Sequence, residues 1–230
     1  MDINTENENT LLRNRHWVEE DSPWKAEKIF QILENNAVNP KSICEIGCGE
    51  GSVLVNLAHF FNQDVKFIGY ETIKEDFNIC KQKEENNIQF YHADLLKVDA
   101  YYDVVMAINV FTHVRDYLGF LSRLRQKGEF KVFYIPLQIT LYTVLRSRYI
   151  QKKEFMRSHL HHFNKDTALG TLKGTGYQII DYFYVSRYLD NPILNIKDIF
   201  YNLPRKLLSS LNENLAAKIL GGFWLMVLTK

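Results

Sequence analysis

Apolar and polar positions along the chain change period several times, and the changes mark out its elements. After a polar stretch from Met1 to about Arg15, expected to be mobile, Asp21-Ser22-Pro23 combines a capping side chain with a first-turn proline, the signature of a helix start. Trp24, Ile29, Phe30, Ile32 and Leu33 follow at helical spacing, and the asparagines at 35, 36 and 39 with Pro40 end the run. Ser42 to Ile46 then reads as a short buried strand, Gly47 to Gly51 as a tight turn and Ser52 to Phe61 as a helix. Strands are predicted at Val65 to Tyr70, Ile88 to His92, Tyr102 to Ile108 and Phe130 to Ile135, the last closed by Pro136. Helices are predicted at Glu75 to Asn86 and Tyr117 to Gln126. Strands separated by helix-length segments imply right-handed βαβ units and a mostly parallel sheet with helices on both faces, an α/β fold.

Beyond Pro136 the pattern loosens. Leu137 to His162 mixes aromatics, basic residues and three histidines and gives no clear period. Asp166 to Leu172 reads as a helix, Tyr177 to Val185 as a strand, Leu203 to Leu220 as one long helix stopped by Gly221-Gly222, and Phe223 to Thr229 as a final strand. The long connection between the last two strands leaves room for them to run antiparallel. A mobile segment 1–15 followed by a single domain 16–230 is the expected organisation.

Composition narrows the function classes. The 230 residues are 46% hydrophobic, enough for a substantial core, and the formal net charge of +1 gives no global field that would favour nucleic acid or an anionic membrane. No nucleic-acid partner is expected; the basic run Arg146, Arg148, Lys152, Lys153 is short, as on a solvated face. Cys44, Cys48 and Cys80 are too few and too irregular for a disulfide framework, and none has the spacing of a zinc or redox pair. The opening Met1 to Asn9 is polar rather than signal-like, and Ile219 to Leu228 is too short to span a bilayer. These features predict a cytoplasmic protein without membrane insertion; they leave its oligomeric state open.

The densest chemical signal is Glu45-Ile46-Gly47-Cys48-Gly49-Glu50-Gly51, where a buried strand runs into three glycines at alternate positions and then into a helix. Glycine admits left-handed backbone and close approach of a ligand, and a helix start offers unpaired amides. Glu71 follows ~20 residues later, just past the second strand, where nucleotide folds place a carboxylate for ribose hydroxyls. Asp94, with Ala93, follows the third strand, where an acceptor can meet an exocyclic amine. Each of these acids also has a plain reading as an ordinary loop carboxylate. The glycine spacing GxGxG, with Ser52 next, differs from the GxGxxG of nicotinamide enzymes, which leaves a nicotinamide oxidoreductase as the weaker alternative.

The segment Glu45 to Gly51, with Glu71, Asp94, Asp103-Val104-Val105, Val110-Phe111-Thr112-His113-Val114, His159-Leu160-His161-His162-Phe163-Asn164 and Gly176-Tyr177, resembles the class I S-adenosylmethionine-dependent methyltransferases. The resemblance covers nearly all of the chain after Ser22. It implies a Rossmann-like three-layer sandwich whose seven-stranded, mostly parallel sheet has an antiparallel last strand beside the fifth. It further implies that Gly47, Gly49 and Gly51 pack against the amino-acid part of the cofactor with help from Glu45, that Glu71 holds the ribose, that Ala93 and Asp94 edge the adenine, and that Asn109 lines the methionine portion. Glu45 and Glu71 stand where relatives more often carry aspartate, Glu50 where serine or threonine is frequent, and Thr112 where many carry glutamate.

Methyl transfer to oxygen gains from a general base, and histidine suits that task. His113 follows the fourth strand and is the first candidate, although a histidine there can equally pack the next helix; His159 and His161 are candidates for lining the acceptor, and their spacing without nearby acids or cysteines predicts no metal. Trp24 and Lys25 belong by resemblance to a segment that lids the cofactor. The N-terminal Ser-Pro-Trp-Lys stretch and the His-Leu-His block resemble bacterial enzymes linked to surface-polysaccharide synthesis, which implies a small-molecule or saccharide acceptor, methylated at oxygen. A methyltransferase-like fold that binds cofactor or a partner without catalysis stays open as the alternative.

Overall fold

A computed structural model of the chain describes residues 21–145, 160–190 and 196–230. Seven strands, β1 (Ser42–Ile46), β2 (Lys66–Glu71), β3 (Ile88–His92), β4 (Tyr102–Ile108), β5 (Gly128–Leu137), β6 (Ile179–Val185) and β7 (Phe223–Thr229), form one sheet in the order β3-β2-β1-β4-β5-β7-β6. β1, β2 and β3 pair in parallel, whereas β7 lies antiparallel between β5 and β6. The mostly parallel sheet and the antiparallel last strand beside the fifth are therefore present. Contacts divide the chain into two compact units, residues 1–104 and 105–230.

In the first unit, helix α1 (21–35) buries Ala26, Ile29, Ile32 and Leu33 completely or nearly so, following the predicted helical spacing. Phe30 stacks on Phe60 at 5.0 Å and meets Phe61 edge-on at 5.4 Å, and Phe61 in turn meets Phe67 of β2. The strands β1 and β2 contribute Ile43, Cys44 and Phe67, all fully buried. Helices α2 (Ser52–Ala58) and α3 (Lys74–Cys80) pack on β2 and β3. Both are shorter than their apolar patterns predict: α2 gives way to a turn at His59 and Phe60, and α3 tightens into a 3-10 turn at Lys81–Lys83. Helix ends often tighten in this way, because the last carbonyls lose their i+4 partners.

In the second unit, β5 and β7 carry the core: Val132, Phe133, Ile135 and Leu225 to Leu228 have no exposed surface. Pro136 does not close β5. The strand continues to Leu137, with Pro136 opposite Trp224 in the ladder, since proline removes one donor but tolerates extended backbone. Helix α4 (Tyr117–Leu124) is capped by Asp116, whose side chain accepts from the Gly119 amide. The obscure stretch after Leu137 contains a short helix, α5 (Leu141–Leu145), and residues 146–159 lie outside the described residues. Helix α6 (Lys165–Gly174) starts with a reciprocal capping box between Asn164 and Thr167. A single turn, α7 (Arg187–Asp190), precedes the C-terminal helices.

The long helix expected from Leu203 to Leu220 is instead two helices, α8 (Ile196–Leu211) and α9 (Glu213–Leu220). Asn212 leaves helical geometry at φ −161° and its side chain accepts from the Leu215 amide, so a capping asparagine breaks the helix. The α8 helix also carries Pro204.

Candidate functional site

The register of the parallel strands gathers the first group of candidate residues. Glu45 lies opposite Gly69 and Ile46 opposite Tyr70, while Glu71 lies opposite His92. The glycine turn, Glu71 and the Ala93-Asp94 corner therefore leave the same edge of the first unit, at the carboxyl ends of β1, β2 and β3. Crevices outside the carboxyl ends of strands are where open α/β sheets bind ligands.

Backbone bonds fix the turn. The amides of Gly47 and Cys48 both donate to the Tyr70 carbonyl, at 2.8 and 3.1 Å, and the Gly51 amide donates to Cys48 O at 2.9 Å. Gly47, Gly49 and Gly51 all have positive φ, at 64°, 54° and 76°. Two of them are glycine for different reasons. A Cβ at Gly51 would lie 2.6 Å from the Phe90 ring and 2.9 Å from Cys80 Cβ, so core packing excludes a side chain there. A Cβ at Gly49 would meet nothing within 4 Å.

Glu71 is 5% exposed and is held at both oxygens. Oε2 accepts from the Gly49 amide at 2.8 Å, and Oε1 accepts from the amides of Thr72 and Ile73 at 2.7 and 2.8 Å. It thus ties the turn to the loop that follows its own strand; Oε1 is filled by two amides, and Oε2 keeps lone-pair capacity for one further donor. Asp94 Oδ1 accepts from the Leu96 amide at 3.0 Å, capping a 3-10 turn, and its Oδ2 stands 3.7 Å from Lys97 Nζ.

Glu45 is buried, and its Oε2 has no hydrogen-bond partner among the described residues. Burial pushes its carboxyl up to about 8; the nearby Lys25 opposes that rise, and Glu71 and Cys80 add to it. Lys25, on α1, is buried as well, which lowers its pKa, with Glu45 acting in the opposite sense. Sequence alone gave no sign that Lys25 would be a buried partner of Glu45, because a lysine at the end of an apolar stretch is usually solvated. Asp103, within the resembling motif, is taken up by the chain: its Oδ2 accepts from the amides of Lys41 and Ser42, at 2.7 and 2.9 Å.

The second unit holds the remaining candidates. Asn109 closes β4 with φ 58°, a left-handed conformation asparagine tolerates, and its amide donates to Tyr134 O at 3.0 Å. Its buried Oδ1 has no hydrogen-bond partner among the described residues. A 3-10 turn, Phe111–His113, follows. Thr112 is fully buried and donates its hydroxyl to Asn109 O at 3.3 Å. His113 is solvent-exposed in part, yet the atoms crowding its ring lower its pKa by desolvation.

The His-Leu-His block comes back to this turn. The amides of Leu160 and His161 both donate to Thr112 O, at 2.9 and 3.2 Å, and His161 Nε2 lies 2.9 Å from Val114 O. A carbonyl only accepts, so His161 carries a proton on Nε2, and its ring also packs on Tyr117 at 4.3 Å. His161 therefore fastens the segment carrying His113, a relation that a separation of 48 positions hides from local sequence reading. His162 Nδ1 lies 2.6 Å from Gln138 Oε1. His159 lies outside the described residues. Among the described residues, no group of three His, Cys, Asp or Glu side chains could hold a metal ion, and the three cysteines are buried thiols.

The second unit also contains a cavity of about 380 Å³ beside Asn109, bordered by the ends of β5 and β7 and by α5, α7, α8 and α9. Tyr188 and Arg205 in its wall escaped the sequence reading, since nothing in their local pattern points to a pocket formed by segments far apart in the chain.

A profile described as "Methyltransferase domain" matches residues 14–181. No curated protein matches the chain significantly. The plantazolicin methyltransferase BpumL in complex with SAH superposes with a TM-score of 0.63 at 14% identity, over 99% of this chain and 91% of that one. Magnesium protoporphyrin IX methyltransferase (ChlM) from Synechocystis PCC 6803 with bound SAH gives 0.60 at 14% identity, over 90% and 82%. The methyltransferase domain of bacterial CtHen1 gives 0.56 at 13% identity, over 92% and 99%. At these identities the likeness is one of fold.

Proposed function

Since the chain belongs to the methyltransferase-domain family, we propose that it is an S-adenosylmethionine-dependent methyltransferase acting at oxygen on a small-molecule or saccharide acceptor. The observation that carries this reading is Gly49: it has left-handed backbone, open space on its side-chain face and an amide bound to Glu71, at the carboxyl end of a buried strand. The residues present fit the cofactor. S-adenosylmethionine is rich in donors, namely an ammonium, ribose hydroxyls and an exocyclic amine, and this edge offers acceptors: Glu45 Oε2, which has no partner among the described residues, the remaining lone pair of Glu71 Oε2, and Asp94. Two of the structurally similar methyltransferases hold SAH, which adds support.

In this reading Gly47 and Gly49 leave room for the cofactor, Glu45 accepts from its ammonium, Glu71 holds the ribose, Ala93 and Asp94 edge the adenine, and Asn109 lines the methionine portion. Gly51 contributes through packing. When bound, the cofactor supplies a methyl group made electrophilic by its sulfonium. The protein contributes alignment, and His113, whose pKa burial lowers, is the candidate to take a proton from the acceptor hydroxyl. His161 positions the His113 turn through Thr112 and Val114.

Calorimetric titration of the full chain with S-adenosylhomocysteine tests the cofactor, and release of S-adenosylhomocysteine from S-adenosylmethionine in the presence of an acceptor panel tests the activity. Folded protein that binds no S-adenosylhomocysteine at about millimolar concentration would overturn the reading, because a site built for the cofactor should bind it well below that level.

A further inference from the structure

Helix α8 turns polar residues inward and leucines outward. Asn202 is buried, and neither its Oδ1 nor the buried Ser209 Oγ has a hydrogen-bond partner among the described residues. Arg205 donates to the carbonyls of Gly221 and Leu220, at 3.1 and 3.2 Å, and lies over the Tyr188 ring. At 3.6 residues per turn these three positions share one face, and Leu203, Leu207 and Leu211 share the opposite one. Those leucines are 43%, 60% and 84% exposed, and Pro204 beside them is exposed too. A helix that packs on a core and faces water on its other side shows the reverse arrangement.

The neighbouring helices continue the pattern. Helix α9 packs against both α8 and α5. It exposes Leu215, and α5 exposes Leu141, Val144 and Leu145, the last at 77%. Exposed aliphatic side chains thus recur on three helices packed in series, unlike the single apolar residues scattered over an ordinary surface.

Charge narrows what covers them. The overall charge of +1 conceals a division: residues 1–104 carry 10 Lys and Arg against 19 Asp and Glu, whereas residues 105–230 carry 18 against 8. Arg146, Arg148, Lys152, Lys153 and Arg157 follow α5 directly in the sequence, with Glu154 the one acid among them. Aliphatic side chains joined to an excess of bases match an anionic bilayer, whose acyl boundary takes the former and whose headgroups attract the latter. A second copy of the chain would bring the same positive excess to this face and be repelled. Nucleic acid has phosphates for the bases but little for leucines, since single strands stack on aromatic rings. Protein interfaces draw their binding energy from Trp, Tyr and Arg more than from Leu.

We infer that the second unit docks on an anionic lipid surface through the leucines of α8 and α5. The contact is peripheral: among the described residues, no helix is long and apolar enough to cross a membrane. The leucines enter the boundary between headgroups and acyl chains, and lysine and arginine side chains stay among the headgroups. The inference does not depend on the cofactor or the acceptor.

The test sediments the full chain with vesicles of phosphatidylcholine alone and with vesicles of phosphatidylcholine and phosphatidylserine mixed roughly three to one. Binding to the mixed vesicles, weaker on the neutral ones and falling as salt is raised, is the expected result. The double variant Leu207→Ser, Leu211→Ser should lower partitioning at least about tenfold, the worth of the apolar area withdrawn. Both side chains are exposed, so thermal unfolding and S-adenosylhomocysteine titration should match the wild type. Leu145→Ser gives an independent check from α5. Absence of binding to the mixed vesicles, or binding indifferent to all three leucines, would overturn the inference. So would sedimentation velocity showing a dimer in the wild type that the double variant abolishes, since a second copy would then cover the face.

Discussion

The amide of Gly49 donates to Glu71 Oε2 at 2.8 Å, so the middle of the glycine turn is tied to the acid that closes the second strand. The other oxygen of Glu71 takes the amides of Thr72 and Ile73. One buried carboxylate thus shapes the turn and the neighbouring loop together. Glu71→Ala leaves three backbone donors without their acceptor. Unfolding in denaturant should show a loss of about 1–3 kcal/mol, the usual cost of orphaned buried groups, and titration should show S-adenosylhomocysteine binding at least about tenfold weaker. Retained affinity in a destabilised protein would reduce Glu71 to a structural role.

Gly49 and Gly51 should separate by phenotype. Gly49→Val places its side chain in open space, so the folded state loses only the cost of left-handed backbone, about 1–2 kcal/mol, while ligand binding is lost. Gly51→Val drives a side chain into Phe90 and Cys80 as well, and overpacking adds about 1–3 kcal/mol to that cost. Thermal unfolding and S-adenosylhomocysteine titration on the two variants give the comparison; equal binding by Gly49→Val and the wild type would mean that the open face of the turn receives nothing.

Glu45 makes stability and binding depend on pH in opposite senses. Its folded pKa of about 8 lies above the ordinary 4.5, so the folded state holds the proton more tightly than the unfolded one. The stability linked to this group is fully present below the ordinary value and is lost as pH rises through about 8. Binding of a cationic ligand against Glu45 favours the ionised form, so affinity should rise over the same range. Glu45→Gln should flatten both curves, as followed by thermal unfolding and by titration in buffers spanning that window.

His113 is tested by activity. Desolvation lowers its pKa, so if it is the base, turnover should climb with pH through a midpoint below the ordinary histidine value and then level off. His113→Ala should lower turnover ~10²–10⁴-fold and leave cofactor affinity nearly unchanged. Full turnover in the folded variant would remove it from the mechanism. His161→Ala, which frees the Val114 carbonyl and the Tyr117 ring, should reduce activity together with stability, since its contacts fasten the turn rather than reach the acceptor.

The sequence by itself determined the elements with short-range causes. Buried strands show as apolar runs, and the α/β alternation follows from their spacing, because side-chain period is a property of local backbone geometry. The glycine turn was legible because three positive-φ positions in five residues leave a chemical mark, and Glu71 and Asp94 because strand ends recur at fixed distances from it. Local capping also explains the errors: Asn212 breaks an apolar helical pattern that periodicity alone would run through.

Only the tertiary structure decided what depends on neighbours remote in sequence. Gly49 and Gly51 look alike along the chain, and only the position of Phe90 and Cys80 makes one a packing glycine and leaves the other open. Burial of Lys25 beside Glu45, the return of His161 to the His113 turn, and the meeting of Tyr142, Tyr188 and Trp224 around one cavity join residues whose local patterns are ordinary. Desolvation and hydrogen-bond satisfaction are set by everything that packs around a group, and that information resides in the folded neighbourhood rather than in the spacing of residues.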